Sequence, residues 1–460
     1  MMNLFDYIKE YTDSNPSSFA VVAEDRTITY KELYNYIKSN NVTLKKYGFT
    51  PMQKVIVKIS RQVDFIIALL SLLSVECWVI PVPDDIKQDE LEKVINLTGA
   101  TIFPYENWEF YNCLEYADAV NISDSNNTGI LHLTSGSTGA PKLCIRTLHG
   151  LTCEGLSFKN TFSITTQERV LSASPLYHSY ALGAAIMGAF VSGSCIYTID
   201  SFVPRKVLKI IQNNSITFFI LVPAMASLIC NTISDQKYDL SSLRIALVGA
   251  GPIKEQVYNK FKEKYGVALL SNYGSTETGA LVSRLDPLTY TSIGKPMDGV
   301  EIKLCNENGE KVGTGETGEI MVKCDGMLKA YFGISEPPFD KDGFFAMGDI
   351  AVQDSDGYVY IKGRKKLLIN VGGKKVNPYE VEEVLMELTG VRECMVTGYI
   401  NQNEEERVSA YIVGDGVTES QIRSFCSEKL SQHKIPNEII FTDCIPKNKL
   451  GKVIHQELKR

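Results

Sequence analysis

A cluster of small polar residues followed by a lysine is the first feature of the sequence that could do chemistry. An apolar run ends at Leu133, and glycines, serines and threonines come directly after it. Glycines let successive backbone N–H groups point into one concavity that suits an oxyanion, and a lysine supplies a positive charge for phosphate oxygens. The sequence therefore predicts a phosphate-binding loop, which consists of Thr134, Ser135, Gly136, Ser137, Thr138, Gly139 and Lys142.

Two other interpretations of this loop compete with the first. Clusters of Gly, Ser and Thr are most often ordinary polar surface turns. A kinase-type P-loop is the sharper alternative, but it needs Gly-Lys-Ser/Thr at the start of a helix. Here Pro141 precedes Lys142 and Leu143 follows it, so the P-loop interpretation fails.

A second polar motif lies at residues 272–279, directly after the predicted strand Val267–Leu270. Ligands of open α/β sheets bind outside the carboxyl ends of the strands, so this motif should face the same crevice as the phosphate loop. Tyr273 offers a flat face for a purine ring, and Glu277 offers a hard oxygen for Mg²⁺. The motif also includes Asn272, Gly274 and Thr276. A shorter turn made of Gly249, Ala250 and Gly251 follows another predicted strand and is a further candidate for ATP binding, although the dinucleotide fingerprint GxGxxG is absent.

The elements around these motifs indicate a layered α/β domain. A strand at Val55–Ile59, an apolar helix at Asp64–Leu73 and a strand at Cys77–Val82 give the rhythm of parallel sheets. From Ser292 onward the pattern becomes alternating β. A helix beginning at Asn377 then opens a small α+β region, because an Asn cap, a proline and a glutamate follow one another there.

Composition restricts the function further. A chain of 460 residues should form two or more domains, and its net charge of -7 argues against a general nucleic-acid binder. The start has neither the basic nor the apolar region of a signal peptide, and the apolar run Phe65–Val75 is too short to span a membrane. Eleven scattered cysteines indicate the reducing cytoplasm, and the five histidines lack zinc-ligand spacing.

Taken together, these motifs resemble those of the adenylate-forming ligases, the superfamily of acyl-CoA synthetases, aryl-acid ligases, luciferases and peptide-synthetase adenylation domains. The resemblance covers nearly the whole chain, in the family's order, and is greatest to stand-alone aryl- or acyl-acid ligases. It rests on the phosphate loop, PLYHSYALG, NYGSTETG, the run from FFAMGDIA to GRKK, and a closing motif around Lys452. It implies a large α/β domain at 1–365, β-rich over about 290–365, and a small mobile α+β domain at 366–460.

The resemblance also implies roles for individual residues. Lys452 matches the catalytic lysine, although a basic tail is usually only solvated charge. Lys366 matches the hinge of a domain rotation, and Glu277 matches the Mg²⁺ ligand. The remaining matches are Tyr177, His178, Ser179 and Tyr180 for the acid, Asp349 and Arg364 for the ribose, and Gly372 and Gly373 for a thiol tunnel. His178 is assigned a place beside the reacting carboxylate, where the ordinary interpretation of a lone histidine is structural.

The implied reaction has two steps. A carboxylate attacks the α-phosphorus of ATP, with Mg²⁺ present, to give acyl-AMP and pyrophosphate. A thiol of CoA or of a carrier-protein phosphopantetheine then displaces AMP. Three features depart from the common family pattern: Leu143, Leu450 and the short region before the phosphate loop. The segment PKLCIRT is instead similar to aryl-acid ligases.

The acid should lack an α-ammonium group. Amino-acid-activating relatives carry an aspartate where this chain has Ser179, and usually another at the hinge, where this chain has Lys366. A buried ammonium without a carboxylate partner is costly. An aryl or medium-sized acyl acid is therefore expected. The alternatives are an amino-acid adenylation enzyme, a non-catalytic nucleotide-binding relative, and an enzyme that passes acyl-AMP to an acceptor other than a thiol.

Overall fold

The computed structural model describes residues 2–104, 128–134, 142–233, 237–286, 291–372, 374–402 and 405–446. Several predicted site residues lie outside these ranges, namely Ser135, Gly136, Ser137, Thr138, Gly139, Gly373 and Lys452. Within the described ranges, no helix combines the length and the hydropathy needed to cross a bilayer.

The helices and strands alternate over most of the chain. The α-helices are α1 Leu4–Ser14, α2 Tyr30–Lys46, α3 Gln62–Ser74, α4 Gln88–Thr98, α5 Leu148–Phe162, α6 Ser179–Ala181, α7 Gly188–Ser192, α8 Pro204–Asn213, α9 Pro223–Cys230, α10 Glu255–Tyr265, α11 Pro378–Met386 and α12 Glu419–Lys429. A π-helical segment spans Leu182–Met187, and 3₁₀ turns span Lys365–Leu367 and Gln432–Lys434.

The strands are β1 Phe19–Val22, β2 Thr27–Thr29, β3 Lys54–Val57, β4 Trp78–Pro81, β5 Thr101–Ile102, β6 Gly129–Thr134, β7 Lys142–Thr147, β8 Arg169–Ser172, β9 Cys195–Tyr197, β10 Phe218–Leu221, β11 Ile245–Val248, β12 Leu269–Ser275, β13 Gly279–Ser283, β14 Lys295–Pro296, β15 Glu301–Cys305, β16 Thr317–Lys323, β17 Ala330–Tyr331, β18 Phe345–Gln353, β19 Val359–Arg364, β20 Ile369–Val371, β21 Lys374–Val376, β22 Val391–Ile400, β23 Glu406–Gly414 and β24 Glu438–Phe441.

The chain divides into two compact units. Unit 1 comprises Met1–Glu301 and Lys323–Gly343, and unit 2 comprises Ile302–Val322 and Phe344–Arg460. The β-rich region thus groups with the C-terminal part of the chain. The predicted domain boundary at Lys366 separates two parts that are expected to rotate against each other. This boundary stays a prediction.

Two large sheets form the core of unit 1. One has the strand order β14-β13-β12-β11-β10-β8-β9-β1-β2, and the other has the order β17-β7-β6-β4-β3-β5. The central strands of both sheets pair in parallel, as the alternation of strands and helices predicted. Strands β10 and β11 are buried along their whole length, which explains their continuous apolar sequence.

Local sequence signals account for several element boundaries. The Thr29 hydroxyl accepts a hydrogen bond from Glu32 N at 3.2 Å, and the Glu32 carboxylate accepts one from Thr29 N at 2.8 Å, so a capping box starts α2. Every residue of α3 is buried, and most of these residues are apolar.

Unit 2 contains the four-stranded sheet β15-β16-β18-β19 and the three-stranded sheet β22-β23-β24. Helices α11 and α12 contact each other, and their apolar residues share one core with β22 and β23. Asn377 caps α11 as expected, because its side chain accepts from Tyr379 N at 3.2 Å. That helix ends at Met386, before Gly390, which has a φ of 101° and turns the chain into β22.

Candidate active site

The two ends of the predicted phosphate loop are held side by side by a β-hairpin. Strands β6 and β7 pair antiparallel with Thr134 opposite Lys142. The Thr134 hydroxyl donates to the Lys142 carbonyl at 3.3 Å. The hairpin therefore brings the first and last residues of the loop together at the end of the sheet.

The motif at 272–279 is also a hairpin, where the sequence suggested a loop. Strand β12 continues to Ser275, and β13 begins at Gly279, so the turn places Glu277 near its tip. A Cβ on Gly274 would lie 2.0 Å from the Gly279 carbonyl, and only glycine allows this approach. The Thr278 hydroxyl accepts from Ser275 N at 3.1 Å and closes the turn.

Other residues of the motif have separate environments. Asn272 is buried, and its amide lies 3.4 Å from the Met297 sulfur, so this side chain packs within the fold. Tyr273 and Thr276 are half-buried. Their predicted roles toward adenine stay predictions.

Tyr331 links the two hairpins, and sequence reasoning missed it. The Tyr331 hydroxyl donates to Glu277 Oε1 at 3.2 Å, and Lys142 Nζ lies 5.3 Å from the centre of the Tyr331 ring. Burial, followed by the charge of Glu277, raises the pKa of Tyr331, so its hydroxyl keeps the proton that it donates. Strand β17, which carries Tyr331, has only two residues and pairs with β7, so no sequence pattern marked it.

Glu277 fits the predicted role of a Mg²⁺ ligand. Its carboxylate is half-buried, and Tyr331 is the only hydrogen-bond partner of that carboxylate found among the described residues. Elsewhere in the described ranges, no group of three or more His, Cys, Asp or Glu residues could hold a metal. Mg²⁺ is commonly held by one or two carboxylates together with substrate phosphates, so a single glutamate suits an ion that arrives with ATP.

We expect Tyr331→Phe to weaken the binding of Mg²⁺-bound ATP while the enzyme stays folded. The change removes a hydrogen bond to a carboxylate but keeps the ring beneath Lys142. A hydrogen bond to a charged group contributes about 1.5–3 kcal/mol, so KM for Mg-ATP should rise by roughly 10-fold or more. Steady-state kinetics measures the change. Tyr265→Phe is the control, because its hydroxyl bonds Ile229 O instead. Equal KM values in both variants would contradict the role of Tyr331.

A buried ion pair stabilises the hairpin of β12 and β13, which carries the motif at 272–279. Arg146 on β7 and Glu154 on α5 are both buried, with Nη2 2.8 Å from Oε2. The other Glu154 oxygen accepts from Ala280 N at 2.9 Å, one residue after Gly279. Arg146 also donates to the Gly326 carbonyl, from Nε at 3.0 Å and from Nη2 at 2.6 Å. The pair thus fixes the start of β13, and with it the turn that carries Glu277.

Two glycines make room for this ion pair. A Cβ on Gly183 or on Gly279 would lie 2.3 Å from Glu154 Oε1. Gly183 belongs to the π-helical segment, a distortion that is common near functional sites. The carboxylate therefore occupies the space that side chains at these two positions would fill.

The predicted acid-binding segment leads into that π-helical segment. The rings of Tyr177 and His178 have their centres 4.4 Å apart. Tyr180 packs its ring against Gly249, where a Cβ would lie 2.5 Å from the ring, and its hydroxyl donates to the Leu247 carbonyl at 2.8 Å. The structure thus brings the acid segment and the Gly249 turn together. The Tyr180 hydroxyl is used within the fold, which leaves Tyr177 and Ser179 as hydroxyl groups for an acid.

Burial lowers the pKa of His178 from 6.5 to about 4, so the imidazole is neutral near pH 7. An unfolded chain takes up a proton at this residue as the pH falls below about 6.5, whereas the folded chain does so only near 4. The free energy of unfolding should therefore fall by up to about 3 kcal/mol over this interval. Urea unfolding at pH 7.5 and 4.5 measures the decrease. It should be smaller in His178→Gln, and an identical decrease would show that the pKa of His178 is the same in the folded and the unfolded chain.

The predicted ribose-binding pair lies in unit 2. Asp349 on β18 faces Arg364 on β19, and Arg364 Nε donates to Asp349 Oδ1 at 2.8 Å. The Asp349 side chain is 6% exposed, and the Arg364 side chain is 46% exposed. The structure therefore brings these two residues together as a pair, and their role toward ribose stays a prediction.

The remaining predicted residues occupy turns. Lys366 lies in the 3₁₀ turn Lys365–Leu367. Gly372 follows β20 with a φ of 58°, and a Cβ there would meet nothing within 4 Å. The positive φ alone thus explains why the residue at this position is a glycine. In the turn after β11, Ala250 also has a positive φ, of 64°, which is uncommon for a residue with a side chain, and Gly251 packs near Pro223.

Comparison with known proteins shows the family. The family model for AMP-binding enzymes matches residues 8–115 and 103–332, and the model for their C-terminal domain matches residues 380–452. The chain is 32% identical over 340 residues to a feruloyl-CoA synthase of Amycolatopsis. The alignment covers 72% of this chain and 69% of that protein. It is 27% identical over 484 residues to the 2-succinylbenzoate–CoA ligase of Bacillus licheniformis, with full coverage of both chains.

Solved structures agree with these relatives. Structures of the o-succinylbenzoate CoA synthetase from Bacillus subtilis match this chain with a TM-score of 0.85 and 26% identity. One of them contains the acyl-adenylate intermediate and covers 99% of this chain and 98% of that chain. Another contains ATP and a magnesium ion and covers 99% of both chains. The predicted superfamily and fold class are confirmed by these matches. The chain belongs to the AMP-binding enzyme family and is an adenylate-forming ligase of the acyl-CoA synthetase type.

Proposed function

We propose that this enzyme joins ATP to an aryl or medium-sized acyl carboxylic acid and transfers the resulting acyl group to the thiol of CoA. The arrangement of Lys142, Tyr331 and Glu277 carries this proposal, because one tyrosine contacts both a cation and a carboxylate that would hold Mg²⁺. CoA is preferred as the acceptor because the relatives are CoA ligases.

The first step brings two anions together, so the site must supply positive charge where negative charge builds. Lys142 and the N–H groups of the phosphate loop would hold the departing pyrophosphate. Lys452 would bridge the attacking carboxylate and the α-phosphate. Mg²⁺, when bound at Glu277, would neutralise phosphate oxygens. Asp349 and Arg364 would hold the ribose, with the carboxylate accepting from the diol.

The second step is served by a rotation of the C-terminal part of the chain about Lys366. One lysine on a mobile domain cannot easily serve both steps, and a rotation would withdraw it before the thiol enters. Gly372 and Gly373 would then border the path of the thiol.

Fixing the hinge should separate the two steps. In Lys366→Pro, the ring holds φ near roughly -65° and restricts the preceding residue. Lys366 lies in a 3₁₀ turn, whose φ of about -50° to -70° accepts proline, so the fold should tolerate the change. Acid-dependent pyrophosphate exchange should largely survive, while thioester synthesis is lost. Lys366→Ala is the control and should keep both activities. A proline variant that makes thioester normally would dismiss Lys366 as the hinge.

The acid is proposed to lack an α-ammonium group. Ser179 and Tyr177 offer neutral hydroxyls, and burial keeps His178 neutral, so these predicted acid-lining residues supply no anion for a cationic substrate. An amino-acid-activating enzyme is the second candidate, on family resemblance alone. A non-catalytic relative and a ligase with an acceptor other than a thiol are less well supported.

A panel of acids in the pyrophosphate-exchange assay tests this assignment. Benzoate-type and medium-chain acids should support exchange, and the common α-amino acids should not. Some promiscuity is expected, because each methylene discriminates by only about 1–3 kcal/mol. Exchange with a free α-amino acid and no other would overturn the substrate class, and no exchange with any acid would support a non-catalytic relative.

We also propose a cytoplasmic location. The ten cysteines in the described ranges are all free thiols, which fits a reducing compartment.

A further inference from the structure

A buried glutamine, Gln62, begins α3 and is 7% exposed. Its Oε1 accepts a hydrogen bond from the backbone N–H of Leu176 at 2.8 Å, across 114 positions of the chain. Its Nε2 donates to the Ser60 carbonyl at 3.0 Å. These two partners fix the orientation of the amide, because an N–H needs its oxygen and a carbonyl needs its nitrogen. Gln62 thus ties the start of α3 to a distant segment.

The residue that Gln62 holds lies directly before the predicted acid-lining residues Tyr177, His178 and Ser179. Leu176 is 2% exposed, whereas the three residues after it are half-buried. A turn closes here, since His178 N donates to the Pro175 carbonyl at 3.1 Å. The backbone at Leu176 is therefore anchored in the interior, while the side chains that follow it keep accessible surface for a substrate.

This anchor has no substitute in the described part of the chain. Among those residues, no other hydrogen bond connects positions 175–178 to a residue more than four positions away. Tyr180 is held separately, through its hydroxyl and the Leu247 carbonyl. The placement of Tyr177 and His178 therefore depends on one polar contact, the bond from Leu176 N to Gln62.

The base from which Gln62 acts is itself held in place. Its backbone N–H donates to Asp200 Oδ1 at 2.8 Å. Asp64, in the same first turn of α3, is buried and forms ion pairs with Arg26 and Arg61. A side chain positions another group accurately only when its own conformation is fixed by its surroundings. The contacts at the start of α3 meet this requirement.

We propose that Gln62 is a positioning residue for the carboxylic acid. Through the N–H of Leu176 it sets the place of Tyr177 and His178, which would lie beside the substrate. This inference rests on the proposed function. Without the acceptor, a buried N–H would lose its partner, and the turn would move to find another. A displacement of about 1 Å in groups that position a substrate can cost roughly 100-fold in rate.

The test compares the KM for the acid with the KM for Mg-ATP in pyrophosphate exchange. The acid is the benzoate-type or medium-chain acid, for example benzoate or octanoate, that supports the fastest exchange. Gln62→Met keeps the shape of the side chain and removes its hydrogen bonds, so KM for the acid should rise by roughly 10-fold or more. KM for Mg-ATP should stay near the wild-type value, because Lys142 and Glu277 lie on other elements.

Two further variants separate positioning from a general loss of stability. Gln62→Glu keeps an acceptor for Leu176 N, so its KM for the acid should lie between those of the wild type and Gln62→Met. Asn41→Leu is the matched control, because Asn41 is a buried amide whose Nδ2 donates to the Ser74 carbonyl at 2.7 Å, at the other end of α3. It should lower the free energy of unfolding and leave KM for the acid unchanged. If Gln62→Met does not fold, Gln62→Asn replaces it, because its amide is one methylene too short to reach Leu176.

Four results would overturn the inference. These are a wild-type KM for the acid in Gln62→Met, an equal rise of both KM values, an equal rise in Asn41→Leu, or a Gln62→Glu variant no better than Gln62→Met. Each of them would defeat this inference alone, since the wild-type enzyme would still adenylate the acid. Absence of exchange with every acid in the wild-type enzyme would defeat the proposed function as well.

Discussion

Replacing Lys452 with alanine should lower the rate of acid-dependent pyrophosphate exchange by roughly 10²–10³-fold, the order observed when one charge-stabilising donor is lost. The reason is that the adenylation step joins a carboxylate to a phosphate, and Lys452 is proposed to bridge the two. Thioester formation from supplied acyl-AMP should be much less affected, because the bridging charge is no longer needed. Rapid measurement of each half-reaction separates the two effects.

The neighbouring lysines provide the matched controls for this experiment. Lys447 and Lys449 belong to the same basic tail, and their replacement by alanine should leave both half-reactions near the wild-type rates. Equal losses of both half-reactions in Lys452→Ala would point to a structural lysine. Equal effects at all three positions would show that the lysines of the tail act only through general electrostatic attraction.

Breaking the buried ion pair of Arg146 and Glu154 should strongly destabilise unit 1. Glu154→Leu leaves Arg146 buried without its carboxylate and removes the acceptor for Ala280 N. Loss of one partner of a buried pair costs about 3–5 kcal/mol, whereas replacing both partners by apolar residues is often much less costly. The double variant Arg146→Leu/Glu154→Leu should therefore be more stable than Glu154→Leu.

Urea unfolding followed by tryptophan fluorescence measures this difference. The exposed pair of Lys9 and Asp13 is the control, and Asp13→Ala should change the free energy of unfolding by only about 0.5 kcal/mol or less. A Glu154→Leu variant as stable as Asp13→Ala would show that the pair does not support the hairpin. In a folded Glu154→Leu enzyme, KM for Mg-ATP should also rise, because the turn that carries Glu277 is loosened.

Local sequence signals predicted the elements that carry the site. Continuous apolar runs explain β10 and β11, which are buried along their whole length, and the capping box of Thr29 and Glu32 explains where α2 starts. These features depend on neighbours in sequence, so the sequence alone shows them.

Contacts between distant segments were the part that sequence patterns could not supply. Tyr331 reaches Glu277 across 54 positions, and Arg146 meets Gly326 across 180 positions. The sequence shows that positions 249 and 183 are glycines. Only the fold shows that the side chains of Tyr180 and Glu154 occupy the space that a Cβ would fill at Gly249 and Gly183, respectively.

The position of the bond that forms in the first step tests the account most directly. An acid that supports exchange is labelled with ¹⁸O in its carboxylate and converted completely, with CoA and Mg-ATP, to product. Attack of the carboxylate on the α-phosphorus predicts AMP that carries one oxygen from the acid, together with unlabelled pyrophosphate and an acyl-CoA thioester. Mass spectrometry that finds AMP without the label, or ADP and phosphate in place of AMP and pyrophosphate, would contradict adenylation of the acid.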